Sequence, residues 1–142
     1  IILMICIILQ KKTMIEKPLN AVEKFHKAFG IEISESPIAK TSDKKIELRF
    51  RLMQEENTEY LKAAKEDDLI EVADALGDML YILCGTILTH GMQYKIDEVF
   101  DEIQKSNMSK LNKDGKPIYR KDGKVLKGPN YFKPDINKIF NQ

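Results

Sequence analysis

The residues best suited to chemistry are a set of carboxylates in the middle of the chain. Glu55, Glu56 and Glu59 lie within five residues, and Glu71, Asp74 and Asp78 follow within eight. Between positions 55 and 102 thirteen acids face only three bases, Lys62, Lys65 and Lys95. Carboxylates that cluster without cations either take up protons or bind a metal. Every nearby donor is an oxygen, with no Cys or His well placed among them, so a hard cation, Mg²⁺ or Mn²⁺, suits the set. The competing reading is a solvated acidic groove, or acids paired with Lys or Arg from elsewhere in the chain.

Helices must position these groups. A helix starting at Ser42 or Asp43 and running to Lys65 places Ile46, Phe50, Met53, Tyr60 and Ala64 on one stripe, which is expected to face the core. Leu48, Leu52, Glu55, Glu56, Glu59 and Ala63 share a second, partly apolar stripe. Asp67 and Asp68 break the chain and offer a cap for a helix over 69–89. Between Leu69 and Thr89 the polar side chains are Glu71, Asp74, Asp78, Thr86 and Thr89, so that helix is expected to be buried nearly all round. With Glu71 at zero, Asp74 lies near 300° and Asp78 near 340°, about one face. Charge on a buried helix is costly unless paired or metal-bound.

Other helices are predicted over 18–29, ended by Gly30, and over 97–110. Beyond them Lys113-Asp-Gly-Lys116 and Lys121-Asp-Gly-Lys124 mark two tight turns flanking Pro117–Arg120, a short strand. The fold class is therefore all-α, a four- to five-helix bundle with a short C-terminal β-hairpin-like extension.

The 142 residues carry 23 Lys+Arg against 22 Asp+Glu, a net +1 that argues against whole-chain steering toward nucleic acid. Residues 1–54 balance at +4, 55–102 at −10 and 103–142 at +7. That asymmetry suits a metal ion followed by its phosphates, and equally two solvated faces that attract each other. Two cysteines, Cys6 and Cys84, make neither a disulfide scaffold nor a thiolate zinc site, and a reducing, cytoplasmic location is expected. Cys84 reads as a core filler. Glu23-x-x-His26 matches one arm of a di-iron site that needs two, and reads as a chance surface pair. The apolar run 1–9 is about half a membrane span, and no membrane association is expected. Residues 1–13 are read as lying upstream of a natural start at Met14, or as a cloning remnant, with 14–142 forming one domain.

Glu55-Glu56-x-x-Glu59, followed by Glu71-x-x-Asp74, resembles the EExxE…ExxD signature of the all-α nucleoside triphosphate pyrophosphatases. Val22–Gly30, Asp78-Met-Leu-Tyr81 with Gly85, Ser106–Lys110 and the run 122–129 resemble the MazG-like group related to phosphoribosyl-ATP pyrophosphohydrolase. The resemblance covers residues 18–136. It implies a helical MazG-like bundle, a homodimer or homotetramer, and Mg²⁺- or Mn²⁺-dependent hydrolysis of a (deoxy)nucleoside triphosphate to the monophosphate and pyrophosphate. Some members act on dUTP, so nucleotide-pool housekeeping is the expected role. By motif, Glu56 and Glu59 are implied metal ligands, with Glu56 also catalytic. Glu55 binds a further metal or helps activate water. The literal spacing selects Glu71 and Asp74. Alignment on the Asp-x-Leu-Tyr segment instead makes Asp78 terminal, and the ligand set adopted is Asp74 and Asp78 with Glu71 third or behind them. Asn107 and Lys110 are implied phosphate contacts. Charge alone suggests that a basic hairpin, with Lys116, Arg120, Lys124 and Lys127, closes over the nucleotide. Two other classes stay open, a non-catalytic helical interaction module and a nucleic-acid-binding module using the basic C-terminal segment. The acidic centre argues against the latter, and no stable nucleic-acid partner is expected.

Overall fold

The computed structural model describes residues 15–141; the apolar start and Cys6 lie outside them. The chain divides into two compact units that part between Gln93 and Tyr94. The first holds α1 (Glu16–Ala28), α2 (Asp43–Lys65) and α3 (Leu69–Thr89), and the second holds α4 (Ile96–Met108) and the short α5 (Asn137–Phe140).

The hairpin of α2 and α3 follows from local signals. Ser42 caps α2, its hydroxyl accepting from the Lys45 amide. At the far end Asp67 adopts φ 57° and the Asp68 amide donates to the Ala63 carbonyl at 3.0 Å, a left-handed C-terminal closure. The Asp68 carboxylate then accepts from the Ile70 and Glu71 amides, each at 3.1 Å, and opens α3. Three residues thus reverse the chain, and the two helices pack antiparallel. Where α3 ends, the 31–42 segment is tied to it. Ser34 N donates to Leu88 O and Ile38 N to His90 O, both at 3.0 Å. The His90 ring lies 2.9 Å from the Ile38 carbonyl through Nδ1; a carbonyl only accepts, so Nδ1 carries the proton. Gly91 is required there: its φ is 65°, and a Cβ would stand 2.1 Å from Ser36 O.

Two expectations about burial are corrected. The Ile46/Phe50/Met53/Tyr60/Ala64 stripe is not the core face: Phe50 is 64% exposed and Tyr60 38%. The face of α2 turned inward carries Arg49, Leu52, Glu56 and Ala63, of which Ala63 is buried and the others half-buried. Likewise α3 is not buried all round. Its buried residues gather in the C-terminal half (Ile82, Cys84, Gly85, Ile87, Leu88, Thr89), though Leu83 among them is 41% exposed, whereas Leu69 is 77% and Ile70 74% exposed. The physical reason is the number of partners: α1 and α2 are the helices that pack on α3, and two helices cannot cover a third on every side. By length and composition α3 alone among the described helices would cross a bilayer. Its three carboxylates and its packing against α1 and α2 instead suit a core helix.

In the second unit α4 buries Glu102 and Ser106. The expected hairpin reduces to an isolated antiparallel bridge between Tyr119 and Val125, and no strand occurs among the described residues. The turn itself forms: Gly123 N donates to Arg120 O at 2.9 Å, and Leu126 N to Ile118 O at 2.7 Å. The segment then returns to the end of α4, where Gly128 N donates to Lys110 O at 2.9 Å.

Candidate metal and nucleotide site

The α2–α3 register decides which predicted residues meet. Gly85 lies beside the Arg49 guanidinium, since a Cβ on it would stand 3.1 Å from both terminal nitrogens. Seven residues further along α2, and seven back along α3, Glu56 lies in the field of Asp78. Seven residues are two helical turns, so one antiparallel seam carries both pairs.

Glu56 is the focus of the acidic end. It is half-buried, and its Oε2 is buried with no hydrogen-bond partner. Burial pushes its carboxyl above the usual range, and the charges of Glu59, Asp78, Asp74 and Glu55 push it further the same way. No cation figures among the charges acting on it. Four of the other five predicted carboxylates therefore act on Glu56, and Glu71 is the exception. It sits in the first turn of α3, seven residues before Asp78 on the side away from Gly85. Glu55, Glu59, Glu71, Asp74 and Asp78 are all exposed.

These side chains do not form a chelating group as they stand. Among the described residues no three Asp, Glu, His or Cys side chains come close enough to hold an ion. The donor set nevertheless fits a divalent cation: oxygens only, an orphaned buried carboxylate oxygen at the centre, and no competing ammonium or guanidinium.

The predicted phosphate contacts, Asn107, Lys110, Lys124 and Lys127, all belong to the second unit. Asn107 and Lys110 are bonded to each other, Lys110 Nζ donating to Asn107 Oδ1 at 2.7 Å. Lys127 places its ammonium 4.4 Å from the centroid of the Tyr131 ring. The backbone amide of Lys124 donates to Asp122, at 3.2 Å, while its ammonium extends from an exposed residue. Arg120 is committed elsewhere: its Nε donates to Asp122 Oδ1 at 2.9 Å, and the pair neutralises both charges. The motif segments 106–110 and 122–129 do meet, through Gly128. A Cβ there would lie 2.4 Å from Leu111 O, so only glycine lets the backbone close on the end of α4.

Sequence reasoning missed the other end of the seam. His26 is not a surface residue. It is 2% exposed, its Nδ1 has no partner, and burial and then the Arg49 charge lower its pKa. Arg49 is half-buried, with Nε unpartnered, and burial alone lowers its pKa. Glu23, His26's supposed companion, pairs instead with Lys27 at 2.5 Å. The signal available in the sequence was a glycine, Gly85, within the apolar C-terminal half of α3, although Gly77 on the same helix marks no such contact. Cys84 is the core filler expected, fully buried with its thiol pKa raised by burial.

Comparison with known proteins adds the following. Residues 22–107 match the family of phosphoribosyl-ATP pyrophosphohydrolase. That span contains all six carboxylates, Arg49 and Asn107. An uncharacterised protein of Acanthamoeba polyphaga mimivirus is 29% identical over 104 residues, 70% of this chain. The chain spans 41% of that relative's length. A crystal structure from Exiguobacterium sp. 255-15, of a protein proposed to be an NTP pyrophosphohydrolase, is similar at 22% identity and a TM-score of 0.47. The similarity covers 86% of this chain and 92% of that one.

Proposed function

The chain belongs to the phosphoribosyl-ATP pyrophosphohydrolase family, and from that premise we propose that it hydrolyses a (deoxy)nucleoside triphosphate to the monophosphate and pyrophosphate, with Mg²⁺ or Mn²⁺ as cofactor. The observation that carries this reading is Glu56: a half-buried carboxylate with an orphaned oxygen, acted on by the charges of four other carboxylates and of no cation, on helices inside the matched span. A protein does not maintain such a group for stability. It costs folding energy that an incoming cation returns.

Glu56 and Glu59 from α2, with Asp74 and Asp78 from α3, would hold the metal. Glu71 lies outside the set that acts on Glu56 and has the weakest claim. A divalent ion bound there supplies neutralisation of phosphate charge and an acidified water. The chain's own part is positioning. Two antiparallel helices carry the donors, which matters because phosphoryl transfer depends mostly on placement and charge. Glu55, exposed beside Glu56, is the acceptor for the proton of the attacking water. Asn107, Lys110, Lys124 and Lys127 are the candidate phosphate contacts. Among substrates dUTP is the first candidate, and housekeeping of the cytoplasmic nucleotide pool the role.

We also propose that the protein works as a homo-oligomer. Ile46, Phe50, Met53, Asn57, Tyr60 and Ala64 on α2 recur at alternating intervals of four and three residues. Leu69, Ala73, Leu76, Leu80 and Leu83 on α3 do the same. That is the spacing of a bundle seam. Phe50, Leu80 and Leu83, 64%, 45% and 41% exposed, line an apolar groove of roughly 670 Å³, and Leu76 on the same face of α3 is 51% exposed. Sedimentation should give a dimer or tetramer that Phe50→Glu dissociates.

The activity is tested by following pyrophosphate release from a panel of dNTPs and NTPs with Mg²⁺, with Mn²⁺ and with chelator. Metal-dependent release of pyrophosphate and monophosphate is expected. Release of orthophosphate would keep the metal site and refute the bond cleaved. No turnover of any nucleotide by folded protein would refute the reading.

A further inference from the structure

Along α3 the acids are followed by a glycine and an aromatic ring. Gly77 and Asp78 come three and four residues after Asp74, and Tyr81 comes four and three residues after them, so the four are neighbours along one side of the helix. Nothing within the chain calls for a glycine at position 77. Its φ is not positive, and a Cβ built on it would meet nothing within 4 Å. A glycine inside a helix is destabilising relative to alanine. What it leaves here is an exposed strip of bare helix. Tyr81 borders that strip and is itself exposed. Its ring meets Phe25 of α1 edge to face, with centroids 5.6 Å apart and planes at 83°. Phe25 is exposed too, and Phe29, 4.4 Å from it, extends the aromatic surface. Tyr81 lies about 100° or more around the helix from Leu76, Leu80 and Leu83, so this corner is distinct from the apolar face that carries them.

We infer that Gly77, Tyr81 and Phe25 form a nucleoside subsite, with the base lying on the aromatic corner and the sugar crossing the bare helix at Gly77. This rests on the reading that the acidic end receives the triphosphate. Seven residues separate Asp74 from Tyr81, about 10 Å of helix. A nucleotide whose phosphates meet the acids has its sugar and base to place over such a distance. Glycine is the residue that lets a ligand approach a backbone closely, and the open space at Gly77 is where the sugar needs it. Every base has a π-face that stacks on an aromatic side chain. Two rings near a right angle suit a planar ligand: laid on the face of one, it turns its edge to the other. Stacking reads no hydrogen-bonding edge, so the subsite holds nucleosides as a class and leaves the choice among bases to other contacts.

The test is steady-state pyrophosphate release with Mg²⁺ from the best substrate of the nucleotide panel, together with inhibition by inorganic tripolyphosphate, which carries the phosphates without a nucleoside. Wild type, Gly77→Ala, Gly77→Leu, Tyr81→Ala and Tyr81→Phe are compared, each with a thermal melt and a sedimentation run. Gly77→Ala should melt no lower than wild type, because alanine is the better helix former and the space is open. Its KM should nonetheless rise, and that of Gly77→Leu should rise further, with kcat much less affected. Tyr81→Ala should raise KM by about tenfold, the size of one lost base stack, and Tyr81→Phe, which keeps the ring, should recover most of it. The tripolyphosphate inhibition constant should stay at the wild-type value throughout. Should Tyr81→Ala fail to fold, the two Gly77 variants decide the matter alone. An unchanged KM in both of them overturns the subsite, since no ligand then crosses Gly77. A tripolyphosphate constant that rises in step with KM also overturns it, the change then acting on the acids. So does a change of sedimentation in Gly77→Leu, which would give the open strip to a second copy of the chain. Hydrolysis survives each of these results. No turnover of any nucleotide by folded wild type overturns hydrolysis and the subsite together.

Discussion

Two glutamates, one in each unit, show opposite uses of a buried carboxylate. Glu102 on α4 is only 5% exposed, yet its carboxyl is held below the usual range. The cause is pairing. Its Oε1 accepts from the Asp135 amide at 2.9 Å, and Oε2 lies 3.1 Å from Lys138 Nζ. Glu56 is less buried and is pushed the other way, because its Oε2 has no donor and its neighbours are other carboxylates. Depth of burial therefore does not decide the state of the group; satisfaction of its oxygens does. Glu102 is a clasp that fixes residues 135–138 to α4. Glu56 is a group left unsatisfied within the chain, and unsatisfied carboxylates are what a cation can use.

Substituting the two residues should separate these roles. The largest effect is expected from Glu56→Gln. It keeps the shape and removes the charge, so kcat/KM for the preferred nucleotide should fall on the order of 100-fold or more. The same change removes an unfavourable charge cluster, so the metal-free variant should melt higher than metal-free wild type. Loss of activity together with lower stability would show that Glu56 is a structural residue like Glu102. Next, Glu102→Ala should lower Tm by several degrees, because it strips a backbone amide and a lysine of their shared acceptor. Lys138→Ala should cost much less, its side chain being 52% exposed. Equal losses from the two changes would break the distinction between a buried clasp and a surface ion pair.

The carboxylates and the frames around them were legible from local information. Ser42, Asp68 and Gly91 mark helix ends by capping chemistry that acts within a few residues, and the α2 and α3 bounds follow. The stripe of Ile46 and Phe50 was legible as apolar but not as outward-facing. Periodicity shows that a face needs covering without naming what covers it. Glu102 gave no signal at all, since a glutamate on a polar helix looks solvated until residues 33 and 36 positions later fold back on it. The Arg49–His26–Gly85 contact joins three helices, and no local pattern records such a meeting.

The finest test of the comparison is the sign of the pH dependence, read on metal-free protein. A carboxyl whose pKa is raised by folding is stabilising only while protonated. Its contribution is present below the ordinary glutamate value and is lost as pH rises through the raised one. Glu56 should make stability fall as pH climbs out of the ordinary carboxylate range. Glu102 does the reverse: its pKa is lowered, so its contribution is present above the ordinary value and disappears as pH falls through the depressed one. In Glu56→Gln the falling limb should vanish while the acid-side loss from Glu102 persists; in Glu102→Gln the opposite holds. Saturating Mg²⁺ should flatten the Glu56 limb in wild type, since a bound cation favours the ionised carboxylate, and leave the Glu102 limb unchanged. If Mg²⁺ moved both limbs equally, the ion would be acting through general screening of surface charge rather than at Glu56, and the two glutamates would lose their separate meanings.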